Sequence, residues 1–250
     1  MKQLGLIGYP LSHSFSKKYF TEKFLKAGLT DWTYDLFELK ELNELEPLLL
    51  KNPELVGLNV TIPYKLAVAP MLQQLDETAK AIGAVNTIKI IRTNKTGLFL
   101  SGYNTDVYGF RESIKPMLKR NHQRALILGT GGAARAVAWV LQSMHIEYLF
   151  VSRHPQPGQV AYSELNETAV THFPFIINCT PAGMYPHIET APAIPYEYLS
   201  EANFLYDLVY NPAETIFLQK GKVKGALVMN GLDMLRLQAE KAWEIFSTNP

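Results

Sequence analysis

Short apolar runs that end in polar or glycine-containing segments recur along the first half of the chain. Residues 4–7, 33–39 and 55–60 have the length and apolar pattern of strands, and helical patterns follow the first run to Ala27 and the second to about Lys51. A helix is predicted to start at Pro63, because the fixed φ of proline suits the first helical turn, and two further strands are predicted after Gly83 and over residues 98–101. The alternation of strand and helix favours an open, mainly parallel sheet.

The second half of the chain repeats this alternation with a new set of strands. A helix from Val107 to about Lys119 precedes them, and the last helix begins near Asn230. The predicted strands cover residues 125–128, 148–151, a segment starting at Ile176, residues 204–210 and residues 227–229. The pattern therefore predicts a second sheet with its own core.

A glycine-rich turn separates the first strand of the second half from its helix. Gly129, Gly131 and Ala134 fit G-x-G-x-x-A, in which the first glycine makes a tight turn and the second lets the backbone approach a pyrophosphate. The helix N-terminus would hold the phosphates, since its N–H groups and dipole favour an anion. The pattern predicts dinucleotide binding, and the alternative is a tight turn with only a structural role.

The strand that follows this helix ends in Ser152-Arg153-His154. About 20 residues after the glycine turn, an NAD-selective fold carries Asp or Glu for the ribose hydroxyls, whereas Arg accommodates a 2′-phosphate. There is no acid at this place, so Arg153 favours NADP. The alternative is a surface arginine at the end of a strand.

Polar side chains cluster after the predicted strands of the first half. Because ligands bind beyond the carboxyl ends of strands in open α/β sheets, we expect these side chains to line one pocket. The set is Ser14, Ser16, Asn59, Thr61, Lys65, Asn86, Asn104 and Asp106. Hydroxyls and amides with one cation and one anion suit a polyhydroxylated, carboxylated small molecule. The alternative is ordinary turn and cap chemistry.

The composition of the chain argues against several classes of protein. The 250 residues are 47% hydrophobic and 19% charged, with a net charge of +1, which gives no sign of nucleic-acid binding. A single cysteine excludes an intramolecular disulfide and fits a reducing compartment. No signal peptide or 18-residue apolar run is evident, so we expect a cytoplasmic protein that does not bind a membrane. No metal-binding motif occurs, and no metal is expected.

Eight motifs occur along the chain in the order found in shikimate dehydrogenases, and the chain resembles that family nearly end to end. They are S-x-S, N-V-T-x-P-x-K, G-A-V-N-T, G-x-N-T-D, G-x-G-G-A, N-x-T-P-x-G-M, Y-D-L-x-Y-N-P and N-G-x-x-M-L-x-x-Q. The resemblance implies reversible, NADPH-linked reduction of 3-dehydroshikimate to shikimate in aromatic amino-acid biosynthesis. We expect a monomer or homodimer that acts on a small molecule.

The resemblance implies an α/β fold with two open, mainly parallel sheets. A substrate-binding domain would cover residues 1–106, a Rossmann-type NADP-binding domain residues 107–230, and a C-terminal helix over residues 231–250 would return to the first domain. It implies that Lys65 and Asp106 are the catalytic pair. The implied substrate-binding residues are Ser14, Ser16, Thr61, Asn86, Tyr210 and Gln238. The implied cofactor-binding residues are Gly129, Thr130, Gly131, Gly132, Ala133, Ser152, Arg153, Asn178, Thr180, Leu208, Gly231 and Glu77.

The chain departs from the family at the predicted 2′-phosphate site. Ser152-Arg153-His154 replaces the usual Asn-Arg-Thr, and Pro157 stands where a further arginine is common. Two alternatives therefore stay open: a quinate/shikimate dehydrogenase with relaxed cofactor use, and a non-catalytic NADP-dependent sensor on the same scaffold.

Overall fold

The computed structural model describes residues 1–11, 15–93 and 97–248, and its chain divides into two compact units. The first unit is Met1–Thr105 with Ala239–Pro250, and the second is Asp106–Gln238. The division falls inside the last helix.

The first unit is built on a six-stranded mixed sheet. Its strands are β1 (Lys2–Gly8), β2 (Trp32–Glu38), β3 (Leu55–Val60), β4 (Gln74–Leu75), β5 (Thr87–Thr93) and β6 (Gly97–Tyr103), and its helices are α1 (Phe15–Lys26), α2 (Leu45–Lys51) and α3 (Glu77–Ile82). The strand order is β2-β1-β3-β5-β6-β4. β1 is parallel to β2 and β3, whereas β5 is antiparallel to β3 and β6.

Both faces of this sheet are covered by apolar side chains. Leu4 and Leu6 of β1 pack in a cluster with Phe20 of α1, whereas Ile7, which directly follows Leu6, belongs to a second cluster. Successive side chains of a strand point to opposite faces, so an apolar run such as β1 is buried on both sides. Phe246 lies so near Gly57 of β3 that a Cβ there would be 2.3 Å from its ring.

The second unit contains a six-stranded sheet that is parallel throughout. Its strands are β7 (Arg124–Leu128), β8 (Glu147–Ser152), β9 (Gln159–Ala161), β10 (Phe175–Asn178), β11 (Phe204–Asp207) and β12 (Leu227–Asn230). Its helices are α4 (Asp106–Ile114), α5 (Gly132–Ser143), α6 (Glu167–His172) and α7 (Ile216–Val223), and α8 (Leu232–Ser247) runs from this unit into the first.

The strand order β12-β11-β10-β7-β8-β9 reverses at β7. From β7 the chain moves outward to β8 and β9, and it later returns to the other side of β7 with β10. Such a reversal leaves a crevice at the carboxyl ends of the strands, where ligands bind in open α/β sheets. The predicted fold class, α/β with two mainly parallel sheets, is confirmed.

The prediction of a helix that starts at Pro63 is wrong. Residues 62–67 form hydrogen-bonded turns instead. The Ile62 carbonyl accepts from Tyr9 N at 3.1 Å, and the Lys65 carbonyl accepts from Val85 N at 2.7 Å. These carbonyls are bonded to other segments of the chain and not along a helix.

The helix predicted from Val107 to about Lys119 is shorter than expected, since α4 ends at Ile114. Pro116 follows two residues later, and the residue before a proline is restricted away from helical geometry. The strand predicted over residues 204–210 also ends early, at Asp207, whose carboxylate accepts a hydrogen bond from Val209 N.

Candidate active site

The glycine turn of the second unit joins β7 to α5 at the point where the strand order reverses. Gly129 has a φ of +104°, which favours glycine, and its N–H donates to Val151 O at 2.9 Å. A Cβ on Gly129 would lie 3.0 Å from the methyl carbon of Thr180. The turn is therefore held between β8 and the segment after β10.

The N-terminus of α5 has the features of an anion site. Gly131 is the N-cap residue and provides no side-chain cap, and the first turn contains no acidic residue. A Cβ on Gly131 would meet nothing within 4 Å. The start of the 12-residue helix is thus open at Gly131, where an anion could meet the backbone N–H groups and the positive end of the helix dipole. This arrangement fits the pyrophosphate of a dinucleotide.

The end of β8 carries the residues predicted for the 2′-phosphate. Arg153 is exposed, and Ser152 Oγ accepts a hydrogen bond from His154 N at 3.2 Å. Burial raises the pKa of Tyr162, and the positive charge of Arg153 opposes that rise. Arg153 thus directly follows the carboxyl end of β8, with an exposed side chain.

The ends of β10 and β11 are joined by a buried network around Asp207. Its carboxylate accepts from Asn178 Nδ2 at 2.9 Å, Val209 N at 3.0 Å and Thr215 Oγ1 at 2.5 Å. Asn178 Oδ1 in turn accepts from Thr180 N at 3.0 Å. Burial raises the pKa of Asp207 to about 6, and the three hydrogen bonds oppose that rise. The network fixes the two loops in which Asn178, Thr180 and Leu208 were predicted to bind cofactor.

Sequence reasoning missed Asp207. Its position inside the apolar run F-L-Y-D-L-V-Y identified it as a strand residue, although an acid within such a run is the signal that a buried hydrogen-bond network is present.

Gly231 allows the backbone to pack closely at the end of β12. A Cβ there would lie 2.2 Å from the Leu208 carbonyl oxygen, and Gly231 N donates to Val209 O at 3.2 Å. Two other predicted residues of this unit are half-buried: Tyr210 after β11, and Gln238 on α8, whose Nε2 donates to Leu235 O at 3.1 Å.

In the first unit, the turn after β3 presents Thr61 and Lys65. Thr61 N continues the ladder by donating to Ile7 O at 2.9 Å, and the Lys65 carbonyl accepts from Val85 N at 2.7 Å. Both side chains are half-buried. The second contact fixes the Lys65 backbone next to the segment that carries Asn86.

Asn86 is the centre of a buried group of amides and hydroxyls. Its Oδ1 accepts from Thr105 N at 2.7 Å and Thr87 Oγ1 at 3.1 Å, and its Nδ2 donates to Thr105 Oγ1 at 3.0 Å. Asn104 Nδ2 donates to Ala84 O at 2.9 Å. Among the described residues, Asn104 Oδ1 is the one buried side-chain nitrogen or oxygen without a hydrogen-bond partner. The group fixes the short segment between β6 and Asp106, and Asp106 itself is 4% exposed.

Ser14 lies outside the described residues. Glu77 is exposed in the first turn of α3, where Asp76 caps the helix by accepting from Ala79 N. Its contact with a cofactor stays a prediction.

Within residues 1–11, 15–93 and 97–248, no group of three His, Cys, Asp or Glu side chains is arranged to hold a metal ion. Over the same ranges, the helices are too short or too polar to cross a membrane.

Together these features define a two-unit α/β protein with a dinucleotide-type turn in one unit and a polar, hydrogen-bonded group in the other. The family profile described as "Shikimate dehydrogenase substrate binding domain" matches residues 6–88. A shikimate dehydrogenase (NADP(+)) of Methanosphaera stadtmanae is 36% identical over 97% of this chain and 90% of the relative. The chain belongs to the shikimate dehydrogenase family.

Two solved structures are also similar to this chain. Shikimate 5-dehydrogenase of Thermus thermophilus, in complex with NADP(H) and shikimate, has a TM-score of 0.84 and 30% identity, with 99% of this chain and 94% of that chain covered. Quinate dehydrogenase of Corynebacterium glutamicum, in complex with NAD, has a TM-score of 0.83 and 27% identity, with 98% and 93% covered.

Two glycines of the site are expected to respond differently to alanine. Gly131→Ala should leave stability within about 0.5 kcal/mol of wild type, because its φ of −74° suits alanine and its Cβ meets open space. It should weaken NADP binding about tenfold or more, since the Cβ occupies the approach to the helix N-terminus. Gly231→Ala should lower the free energy of unfolding by about 1–3 kcal/mol, because its Cβ would overlap the Leu208 carbonyl. Urea unfolding and fluorescence titration with NADP measure both effects, and wild-type NADP affinity in Gly131→Ala would contradict the pyrophosphate assignment.

Loss of the Asp207 proton should lower the free energy of unfolding as the pH rises from about 4 to about 7. Its folded pKa of about 6 exceeds the ordinary value of 3.8, so the folded protein binds more protons than the unfolded chain between these values. From pH 4 to pH 7, wild type should lose up to about 3 kcal/mol of unfolding free energy relative to Asp207→Asn. Urea unfolding of both proteins across this range measures the difference. Parallel pH profiles would show that Asp207 is not held in a desolvated site.

Proposed function

We propose that this chain catalyses the reversible, NADPH-linked reduction of 3-dehydroshikimate to shikimate in aromatic amino-acid biosynthesis. One observation carries the proposal: this chain, which is similar to a shikimate dehydrogenase (NADP(+)), combines two site features. Its second unit has a glycine turn with open space at Gly131. Its first unit holds Thr61, Lys65 and Asn86 by backbone and side-chain hydrogen bonds.

NADP is the proposed cofactor, and it supplies the hydride-transferring group when bound. Gly129, Thr130, Gly131, Gly132 and Ala133 would hold its pyrophosphate. Arg153 and Ser152 would hold the 2′-phosphate, because an arginine fork matches phosphate oxygens and no acid repels them. The ordered loops containing Asn178, Thr180 and Leu208 would hold the nicotinamide end, together with Gly231. Glu77 is a further proposed contact.

The substrate would be bound by hydroxyl, amide and phenol groups that suit a ring with hydroxyls and a carboxylate. The proposed residues are Ser14, Ser16, Thr61, Asn86, Tyr210 and Gln238. Lys65 is the proposed acid/base group: it gives a proton to the forming hydroxyl in one direction and takes it back in the other. Asp106 is the proposed second member of the catalytic pair, as the family resemblance implies.

The second candidate is a quinate/shikimate dehydrogenase with relaxed cofactor use, which the similarity to an NAD-bound quinate dehydrogenase favours. Arg153 and the absence of an acid after β8 favour NADP instead. A non-catalytic NADP-dependent sensor would need no proton-transferring lysine. We further propose a cytoplasmic monomer or homodimer that does not bind nucleic acid, on the grounds of one cysteine and a net charge of +1.

Arg153→Ala should lower kcat/KM with NADP about tenfold or more and leave that with NAD nearly unchanged. A charge-assisted hydrogen bond to phosphate is worth roughly 1.5–3 kcal/mol, and only NADP carries the 2′-phosphate. Initial rates with each cofactor measure the effect. Arg124→Ala is the control, because it removes the same charge from an exposed pair with Glu147 at the start of β7. Equal losses with NADP and NAD would contradict 2′-phosphate recognition by Arg153.

Lys65→Ala should lower kcat by about 10²–10⁴-fold, because positioned proton transfer contributes that much, while the dissociation constants of shikimate and NADP change little. Steady-state rates and ligand titrations measure the two effects separately. Lys80→Ala, at an exposed lysine in the last turn of α3, is the matched control. A Lys65→Ala variant that keeps more than about a tenth of wild-type kcat would exclude Lys65 as the acid/base.

A further inference from the structure

Helix α4 begins at Asp106, one of the proposed catalytic pair, and packs through a buried face. Four buried residues of α4 occur at spacings that place them on one side of the helix. They are Asp106, Gly109, Phe110 and Ser113. The contacts that hold this face of α4 therefore also hold Asp106.

Part of this face packs on Tyr206 of β11. The rings of Phe110 and Tyr206 meet edge to face, with their centroids 5.2 Å apart and an angle of 90° between the planes. The hydroxyls of Ser113 and Tyr206 are hydrogen-bonded at 2.8 Å. All three side chains are buried. An apolar contact and a hydrogen bond thus fix α4 against β11.

Gly109, three residues after Asp106, packs on α8 instead. A Cβ on Gly109 would lie 2.5 Å from Met234 O, 3.0 Å from Gln238 Cβ and 3.1 Å from Gln238 N. Two of these atoms belong to the backbone of α8, which cannot move aside as the end of a flexible side chain can. The missing Cβ therefore lets the backbones of α4 and α8 approach at Gln238, a proposed substrate-binding residue. All of these residues belong to the second unit.

We infer that Gly109 is a positioning residue, which sets the distance between Asp106 on α4 and Gln238 on α8 for substrate binding. This inference rests on the proposed function. Residues three apart on a helix have their Cβ atoms about 5–6 Å apart, so Gly109 is an immediate neighbour of Asp106 on the face of α4. A movement of α8 away from Gly109 therefore moves Gln238 away from Asp106.

Gly109→Ala tests the inference, because alanine adds only the missing Cβ. Non-bonded atoms pack best at about 3.5–4.0 Å, so the 2.5 Å contact must open by about 1 Å. Since α4 is also fixed against β11, this movement falls on α8. A misplacement of about 1 Å can cost about 10²-fold in rate. We expect kcat/KM for shikimate to fall about 10- to 100-fold, with KM for NADP within about threefold of wild type.

Gly221→Ala is the matched control. Gly221 is also a buried glycine within a helix, α7, and a Cβ there would likewise lie 2.5 Å from its nearest neighbour, Leu205 Cδ2. This variant should unfold at a lower urea concentration without a change in kcat/KM for shikimate. Equal kcat/KM values in Gly109→Ala and Gly221→Ala would overturn the inference, because Gly109 would then have no effect beyond packing.

A double-mutant cycle with Gln238→Ala tests whether Gly109 acts through Gln238. In the Gln238→Ala background, Gly109→Ala should lower kcat/KM for shikimate by a smaller factor than in wild type, because the side chain that moves is already truncated. The same factor in both backgrounds would overturn the inference.

Gln238→Asn keeps the inference testable if Gly109→Ala does not fold. The side chain becomes one methylene shorter, and with the backbone of α8 held at Gly109 it cannot reach its partner. KM for shikimate should therefore rise about tenfold or more. A wild-type KM in Gln238→Asn would show that the distance is not fixed and would overturn the inference. Wild-type protein that shows no shikimate-dependent reduction of NADP would instead contradict the proposed function.

Discussion

Buried polar side chains around the candidate site must be hydrogen-bonded, and this requirement determines how the strand ends are arranged. An unpaired buried amide or hydroxyl costs about 1–3 kcal/mol. In the first unit, Asn86 meets the requirement with Thr105 and Thr87, which fixes the segments before and after the β5–β6 hairpin. In the second unit, Asp207 meets it with Asn178 and Thr215, which fixes two neighbouring loops. Both networks orient residues proposed to contact ligands.

Glycine meets a different requirement, close approach of the backbone. At Gly129 the backbone has a positive φ, at Gly131 the missing Cβ leaves the start of α5 open, and at Gly231 the missing Cβ admits the Leu208 carbonyl. The first two positions are proposed to serve a ligand, whereas the third serves packing within the unit. The three glycines belong to the same predicted cofactor site, but they act through different contacts.

The elements that depend on a local sequence pattern could be predicted from the sequence. The prediction failed where contacts between distant segments determine the backbone conformation. The strand over residues 55–60 and the turn before α5 follow from a short apolar run and from glycine chemistry. The turns after Pro63 could not be predicted, because they depend on hydrogen bonds to Tyr9 and Val85, which are distant in sequence. Asp207 was missed for the same reason: it lies within an ordinary strand pattern, and its role depends on Asn178 of another strand.

The activity proposed for this family member is oxidation of shikimate with NADP and the reverse reduction. Initial rates of the purified wild-type protein with shikimate and with quinate, each with NADP and with NAD, test it most directly. Shikimate with NADP should have the highest kcat/KM of the four pairs, because the segment after β8 contains Arg153 and no acid. The highest kcat/KM with quinate and NAD, or no turnover of shikimate with NADP, would contradict it.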